Sequence, residues 1–389
     1  MTKLEELIEK LCPDGVEYKE IGSIAVLGAG GDVPKARFSA EKTVEFNIPI
    51  YSNGIEEKAI YGYTDIPKVD EPSITISVRG TIGWCALRKE PFYPIVRLIY
   101  VTPNNEILID FLKYVIDTIK FKVPKTGIPQ LTIPMVSKYK IPVPPLEVQR
   151  EIVRILDNFT FLTTELAAEL AARQKQYEYY RDLLLTFKSN ESTILNERTN
   201  ELELSGAIRW MKLGDIADIG TGNGNTNEGL DTGKYPFFVR SQDIKYKNEY
   251  DFDETAIITS GDGVGVGKIF HFVSGKYALH QRAYRVHITS DNVLPKYFFY
   301  YFKNSFLTYI SKASFHSSVT SIRRPMMINF PVPVPPLVVQ QRIVDILDRF
   351  DTLCNDISSG LPAEIEMRQK QYEYYRDKLL SFKELKKEA

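Results

Sequence analysis

Three glycine-rich stretches have the composition of loops that cradle phosphates. GDGVGVGKI (Gly261–Ile269) contains a lysine, but its first glycine is one residue out of frame for a nucleotide loop. Ile269 also stands where a Ser or Thr would hold magnesium. GTGNGN (Gly220–Asn225) and GAGGDV (Gly28–Val33) lack the last glycine of a dinucleotide-binding turn and read as turns beside strands. Asp14, Glu17 and Lys19 imitate a nuclease metal site, but Asp14 is too close to Glu17. The matching positions of the second half are Arg209 and Met211, so such a site would exist only once. All four histidines (His271, His280, His287, His316) lie in that half too. The three cysteines (Cys12, Cys85, Cys354) form no CxxC, which argues against a zinc knuckle or disulfide framework and fits a reducing cytoplasm. The Asn/Asp-Pro-Pro-Tyr motif with which amino-methyltransferases grip a flipped base is missing. The chain is therefore expected to be non-catalytic, with no metal ligands of its own.

Positive charge in particular places suggests a different chemistry. The net charge is −1, yet residues 206–330 carry 15 basic against 11 acidic side chains, and residues 16–140 carry 16 against 14. No acid occurs between Asp117 and Glu147, a window with Lys120, Lys122, Lys125, Lys138 and Lys140. None occurs between Asp291 and Asp345, which enclose Lys296, Lys303, Lys312, Arg323, Arg324 and Arg342. Basic side chains neutralise phosphates, and Arg, Asn, Gln, Ser and Thr also suit base edges. Candidate DNA contacts in the first half are Lys35, Arg37, Ser52, Asn53, Arg79 and Thr81, with Lys125, Thr126 and Gln130 of PKTGIPQ. Those in the second half are Arg240, Gln242, His280 and Arg282, with His316, Ser317, Thr320, Arg323 and Arg324. Ordinary solvated surface is the competing reading for each.

The elements that must position these residues come as two copies of one plan. VPPLEVQREIVRILDNF (Val143–Phe159) returns 191 positions later as VPPLVVQQRIVDILDRF (Val334–Phe350). RQKQYEYYRD occurs at Arg173–Asp182 and again, letter for letter, at Arg368–Asp377. A fainter match pairs IGSIAVLGAG (Ile21–Gly30) with LGDIADIGTG (Leu213–Gly222). Between Leu146 and Lys188 no Pro or Gly interrupts an apolar seam stepping by four and three: Ile152, Leu156, Phe159, Thr163, Leu166, Leu170, Arg173, Tyr177, Tyr180, Leu184, Phe187. At 1.5 Å per residue this is a rod of roughly 60 Å. The second block repeats the seam but is expected to break or kink at Ser359-Gly360-Leu361-Pro362. The blocks in between alternate β-branched residues with turn signals, with helical patterns at Asp110–Phe121 and Pro295–Ile310.

The expected fold is α+β, with two β-rich domains and two long antiparallel coiled-coil helices about an internal pseudo-two-fold. The division is 1–140 (with a short N-terminal helix), helix 141–188, linker 189–205, second domain 206–330, and second helix 331–389. No apolar run approaches the ~18 residues of a membrane span, and a cytoplasmic location is expected.

Variable block, Pro-Pro-Leu opening, long helix ending in QYEYYRDxLL, and the same again: the whole chain resembles the specificity subunit of a type I restriction-modification system. The resemblance implies that each variable block is a target recognition domain for one half of a split DNA sequence. It implies helices that set the gap and dock two methyltransferase (modification) subunits, which motor-nuclease (restriction) subunits then join. S-adenosylmethionine, ATP and magnesium would sit on those partners, with no cofactor in this chain. The doubled decapeptide suits two copies of one partner, so Gln174, Glu178 and Arg181, with Gln369, Glu373 and Arg376, are the expected docking residues on an outward face. ELAA-ELAA (Glu165–Ala172) resembles the tetrapeptide repeats that tune the gap in that family. The competing reading is a non-catalytic coiled-coil scaffold whose two domains bind proteins or other ligands.

Overall fold

The computed structural model describes residues 2–123, 129–187, 208–313 and 321–385, with the backbone of 194–196 and 201–203. The chain forms two compact units, and they do not follow linear order. Residues 1–167 fold with 364–389, and residues 168–363 form the second unit.

The first unit holds an antiparallel sheet in the order Ala25–Ala29, Leu98–Pro103, Ser73–Ser77, Cys85–Arg88. Beside it lies a three-stranded sheet ordered Ile60–Thr64, Ile48–Tyr51, Tyr93–Pro94. All five residues of Ser73–Ser77 are buried, as in a strand covered on both faces. Its hydroxyls are accommodated by bonding: Ser73 to Thr102 at 2.7 Å, and Thr75 to the Ala86 carbonyl at 3.3 Å. The helix Ile109–Thr118 closes the core with Phe111, Leu112, Val115 and Ile116. A helix at Lys3–Leu11 starts with a capping box, in which Thr2 Oγ1 accepts from Glu5 N and the Glu5 carboxylate accepts from Thr2 N.

In the second unit the sheet has six strands, ordered Ala217–Thr221, Ala283–Ile288, Phe252–Ser260, Phe270–Leu279, Tyr235–Phe238, Lys245–Lys247. The helix Pro295–Ala313 fills its core with an aromatic cluster, Phe298 stacking on Phe302 at 5.1 Å and Phe302 contacting Phe306 at 4.4 Å. Among the described residues, no helix is long and apolar enough to cross a membrane.

The internal repeat is visible in individual hydrogen bonds. Gln149, fully buried, accepts from Leu108 N and donates to the carbonyls of Glu106 and Pro144. Gln340 does the same with Leu294, Asn292 and Pro335. Tyr114 donates to Asp157 as Tyr300 does to Asp348. Strand Glu17–Glu20 pairs with Lys140–Val143 as Arg209–Lys212 pairs with Pro331–Val334.

The first long helix runs from Leu146 to Leu185 after this strand and two prolines. Its N-terminal part packs in the first unit, where Phe159 stacks on Tyr375 at 5.4 Å and Ile155 shares a groove with Leu379. Its C-terminal part packs in the second, where Tyr180 stacks on Phe350 at 5.7 Å and Gln176 and Ile346 line the same groove. In the first unit one residue number rises as the other falls, and in the second Tyr180 meets Phe350 while Arg173 lies near the Cys354 thiol, so the pairing is antiparallel, as expected. The second block is two helices, Leu337–Asn355 and Leu361–Leu379. The break falls at 356–360, slightly ahead of the expected proline. There Asp356 accepts from Ser358 N, Ser358 Oγ and Ser359 Oγ, bonds that hold its carboxyl down to about 2. Gly360 is required at this corner, because a Cβ would lie 2.4 Å from the Thr352 carbonyl oxygen.

Candidate nucleic-acid interface

Each unit brings three loops together on the same backbone frame. The buried central strand ends in both on a glycine turn, with Gly80 at φ +80° and Gly263 at φ +79°. Gly lowers the cost of such a left-handed position. Val78 N donates to Arg97 O at 3.0 Å, and Gly261 N to Arg282 O at 2.9 Å. Ile95 N donates to Tyr51 O at 2.9 Å, and His280 N to Phe238 O at 3.0 Å. Leu131 N donates to Val78 O, and Ile322 N to Gly261 O. On this frame the first unit places Asn53, Arg79 and Arg97, and the second places Arg240, Asp262 and Arg282 at the matching positions. One frame thus carries two different sets of donors and acceptors.

In the first unit the structure brings Ser52, Asn53, Arg79 and Thr81 together. Asn53 Nδ2 donates to the Arg79 carbonyl at 2.8 Å, while Thr81 Oγ1 donates to the Asn53 carbonyl at 3.0 Å and bonds Ser77. Asn53 and Thr81 therefore lock two loops to each other, and Ser52 bonds back to Ala59. Arg79 is half-buried, Lys35 and Gln130 are exposed, and Arg37 is paired to Asp65 at 2.5 Å. Nothing in the sequence singles out Arg97, which adjoins a β-branched run. The strand starts at Leu98, and exposed Arg97 sits at φ +75°, a strained position for a non-glycine residue.

In the second unit Asp262 is the hub. Its carboxylate accepts from Arg240 at 2.7 Å and from Arg282 at 3.0 Å. Burial opposes its charged form, but those two guanidiniums outweigh it and hold the carboxyl below its ordinary range. His280 Nδ1 accepts from Arg282 N at 3.0 Å, so Nε2 carries the proton and donates to Thr226 Oγ1 at 3.1 Å. Burial, followed by the nearby Arg240 charge, lowers the His280 pKa and keeps this ring neutral. His280 is thus a buried support (3% exposed) rather than an outward reader, whereas Arg282 is exposed. Asp262 and Thr226 went unread, Asp262 because it lay inside the phosphate-loop lookalike. Three of that loop's amides are engaged internally: Val266 N bonds Gly263 O, and Lys268 N and Ile269 N bond Gly265 O.

Arg323 and Arg324 are exposed beside this hub, next to the Asp262–Ser321 bridge, and Gln242 is exposed nearby in sequence to Arg240. Lys125, Thr126, His316, Ser317 and Thr320 lie outside the described residues. Of the decapeptide, Gln174 and Glu178 in the second unit and Gln369 and Glu373 in the first are exposed. The arginines depart from the expected outward face. Arg181 (33% exposed) lies 6.0 Å over the Tyr177 ring, and Arg376 (22%) lies 5.7 Å over Tyr372, each paired with the following aspartate. A guanidinium, more weakly hydrated than an ammonium, can lie along an aromatic face while staying partly solvated.

The chain is similar to known proteins over nearly its whole length. The family described as type I restriction modification DNA specificity domain matches residues 13–173 and again 208–367. A Haemophilus influenzae protein named as a type I restriction enzyme specificity subunit is 31% identical over 98% of both chains. An Escherichia coli type I restriction enzyme specificity subunit is 33% identical over 74% of each. Among solved structures, the fold is similar to the S subunit of a type I restriction-modification system from M. genitalium, with TM-score 0.59 and 16% identity. That match covers 98% of this chain and 99% of the other. The HsdS subunit from Thermoanaerobacter tengcongensis follows at TM-score 0.52, 17% identity, and 96% and 99% coverage.

Proposed function

Because the chain belongs to the type I restriction-modification DNA specificity family, we propose that each unit reads one half of a split duplex target through its three-loop site. The observation that carries this is the shared frame with different side chains. Asn53, Arg79 and Arg97 face one set of base edges and Arg240, Asp262 and Arg282 another, so two halves of unlike sequence are read by one architecture. Arginine forks suit guanine O6 and N7, and a carboxylate accepts from cytosine N4. Lys35, Gln130, Gln242, Arg323 and Arg324 supply the surrounding backbone and edge contacts.

Catalysis falls to partners in this reading. Two methyltransferase subunits dock on Gln174 and Glu178 in one unit and on Gln369 and Glu373 in the other, and restriction subunits join them. S-adenosylmethionine, ATP and magnesium are held by those partners. The long helices set the gap between the half-sites, with ELAA-ELAA as its adjustable stretch.

Co-expression with the methyltransferase subunit followed by methylome sequencing tests this. Wild type yields a split motif with a fixed gap. Arg97→Ala relaxes a base in one half and Arg282→Ala a base in the other. Relaxation of the same half by both variants, or an unsplit motif, refutes it.

A further inference from the structure

The second unit contains a cleft of about 350 Å³ apart from its three-loop site, between the helix Pro295–Ala313, the loop at Gly267 and the first decapeptide. Its walls carry Arg181, Lys268 and Lys303, with Asn304 and Thr308 as neutral donors, and no carboxylate lines it. Among the described residues neither Lys268 nor Lys303 has an ion-pair partner, whereas Arg181 is paired with Asp182 outside the cleft. Three cations gathered around a cavity with no counter-charge on its walls raise its potential and leave it short of an anion.

The internal repeat supplies a contrast. Tyr300 and Tyr114 occupy matching positions, each donating to the matching aspartate of its long helix. Counting three residues on from each tyrosine, Lys303 stands where the first unit has Asp117. There the carboxylate takes Lys113 at 2.5 Å and the Cys85 thiol at 3.1 Å, so the first unit neutralises this place internally. Cationic character here is therefore not a by-product of the shared fold; it belongs to the second unit.

We infer that this cleft binds a phosphate group, with Lys268 and Lys303 as the principal ligands and Arg181 as the third. Lys268 is the lysine of the glycine-rich GDGVGVGK stretch. It acts through its side-chain charge, since its own amide is already bonded to the Gly265 carbonyl. Phosphate chemistry is offered by the backbone of a bound duplex, a source that rests on the DNA-reading function proposed above, or by a free phosphorylated molecule.

The test compares Lys268→Ala/Lys303→Ala with wild type and with Lys113→Ala as a control at the neutralised place. For the duplex, the specificity–methyltransferase complex is titrated with DNA bearing its mapped target over a range of salt. Each lost phosphate contact should flatten the slope of log affinity against log salt by ~0.9. The double variant should flatten it by one to two such steps without changing the methylated sequence, and the control should leave it unaltered. For a free ligand, pyrophosphate is added to the full chain. A rise in melting temperature for wild type but not for the double variant, with an unchanged salt slope, assigns the cleft to a small phosphorylated molecule. An unchanged slope together with equal pyrophosphate responses overturns the inference. Loss of a split motif in wild type would sink the DNA-reading function alone, since the pyrophosphate arm does not depend on it.

Discussion

Asp262→Asn is expected to make the protein bind DNA more readily and read it less well. The carboxylate, 25% exposed, accepts from Arg240 at 2.7 Å and Arg282 at 3.0 Å and is the only counter-charge these two guanidiniums have among the described residues. The asparagine keeps one acceptor oxygen and the volume, so the loop should stay folded. Without the charge, two like cations repel and each loses the fixed angle needed for a two-pronged base contact. Such a contact discriminates by ~1–3 kcal/mol, which at ~1.4 kcal/mol per decade is a roughly 5- to 150-fold loss at one base position. Removing one negative charge beside the phosphates acts in the opposite sense on non-specific binding, steepening the salt slope by up to ~0.9. Salt-dependent titration against target and scrambled duplexes, paired with methylome sequencing, reads both effects. Preserved discrimination together with unchanged or weaker scrambled-duplex binding would refute the reasoning.

Gln340→Ala strips partners from a partly buried backbone N–H, a partly buried carbonyl and a buried carbonyl. At ~1–3 kcal/mol per buried unsatisfied group, with water able to reach the exposed Asn292, this should cost about 1–3 kcal/mol, read from urea unfolding of the second unit's transition. Gln149→Ala should do the same in the first unit, and losses below about 0.5 kcal/mol in both would contradict the shared role. Glu151, 4% exposed, is held down to about 2 chiefly by its hydrogen bond from Arg154, against the opposing effect of burial, with Lys3 of the N-terminal helix adding to it. Its folded pKa is depressed, so its stabilisation is present above the unfolded value of ~4.3 and is lost as pH falls toward 2. Glu151→Gln should therefore flatten acid melting curves in that window, and superimposable curves would exclude the triad. Deleting one ELAA unit removes ~6 Å of helix, close to two base-pair rises of ~3.4 Å, and should shorten the methylated motif's gap; an unchanged gap rules the stretch out as its ruler.

Much of this protein could be read from letters alone because its repeat is written in side chains that pack. Gln149 and Gln340, the Pro-Pro-Leu openings and the seam tyrosines recur at nearly fixed spacing, since a buried fork or a helix seam tolerates few alternatives. That was enough for two helices, two β-rich blocks, antiparallel pairing and the family. The sites were less legible because their positions share a frame while differing in residue: Asn53 stands opposite Arg240 and Arg79 opposite Asp262. Only backbone bonds between distant segments, such as Val78 to Arg97 and Gly261 to Arg282, reveal that these are equivalent. The structure also turned Arg181 and Arg376 onto tyrosine faces and demoted His280 to a support. Local sequence determines which residues can form an element, because that depends on neighbours a few positions away. Which side chains converge on one another, and which charges are left without a partner, depends on contacts between segments far apart in the chain, and tertiary structure alone decided those.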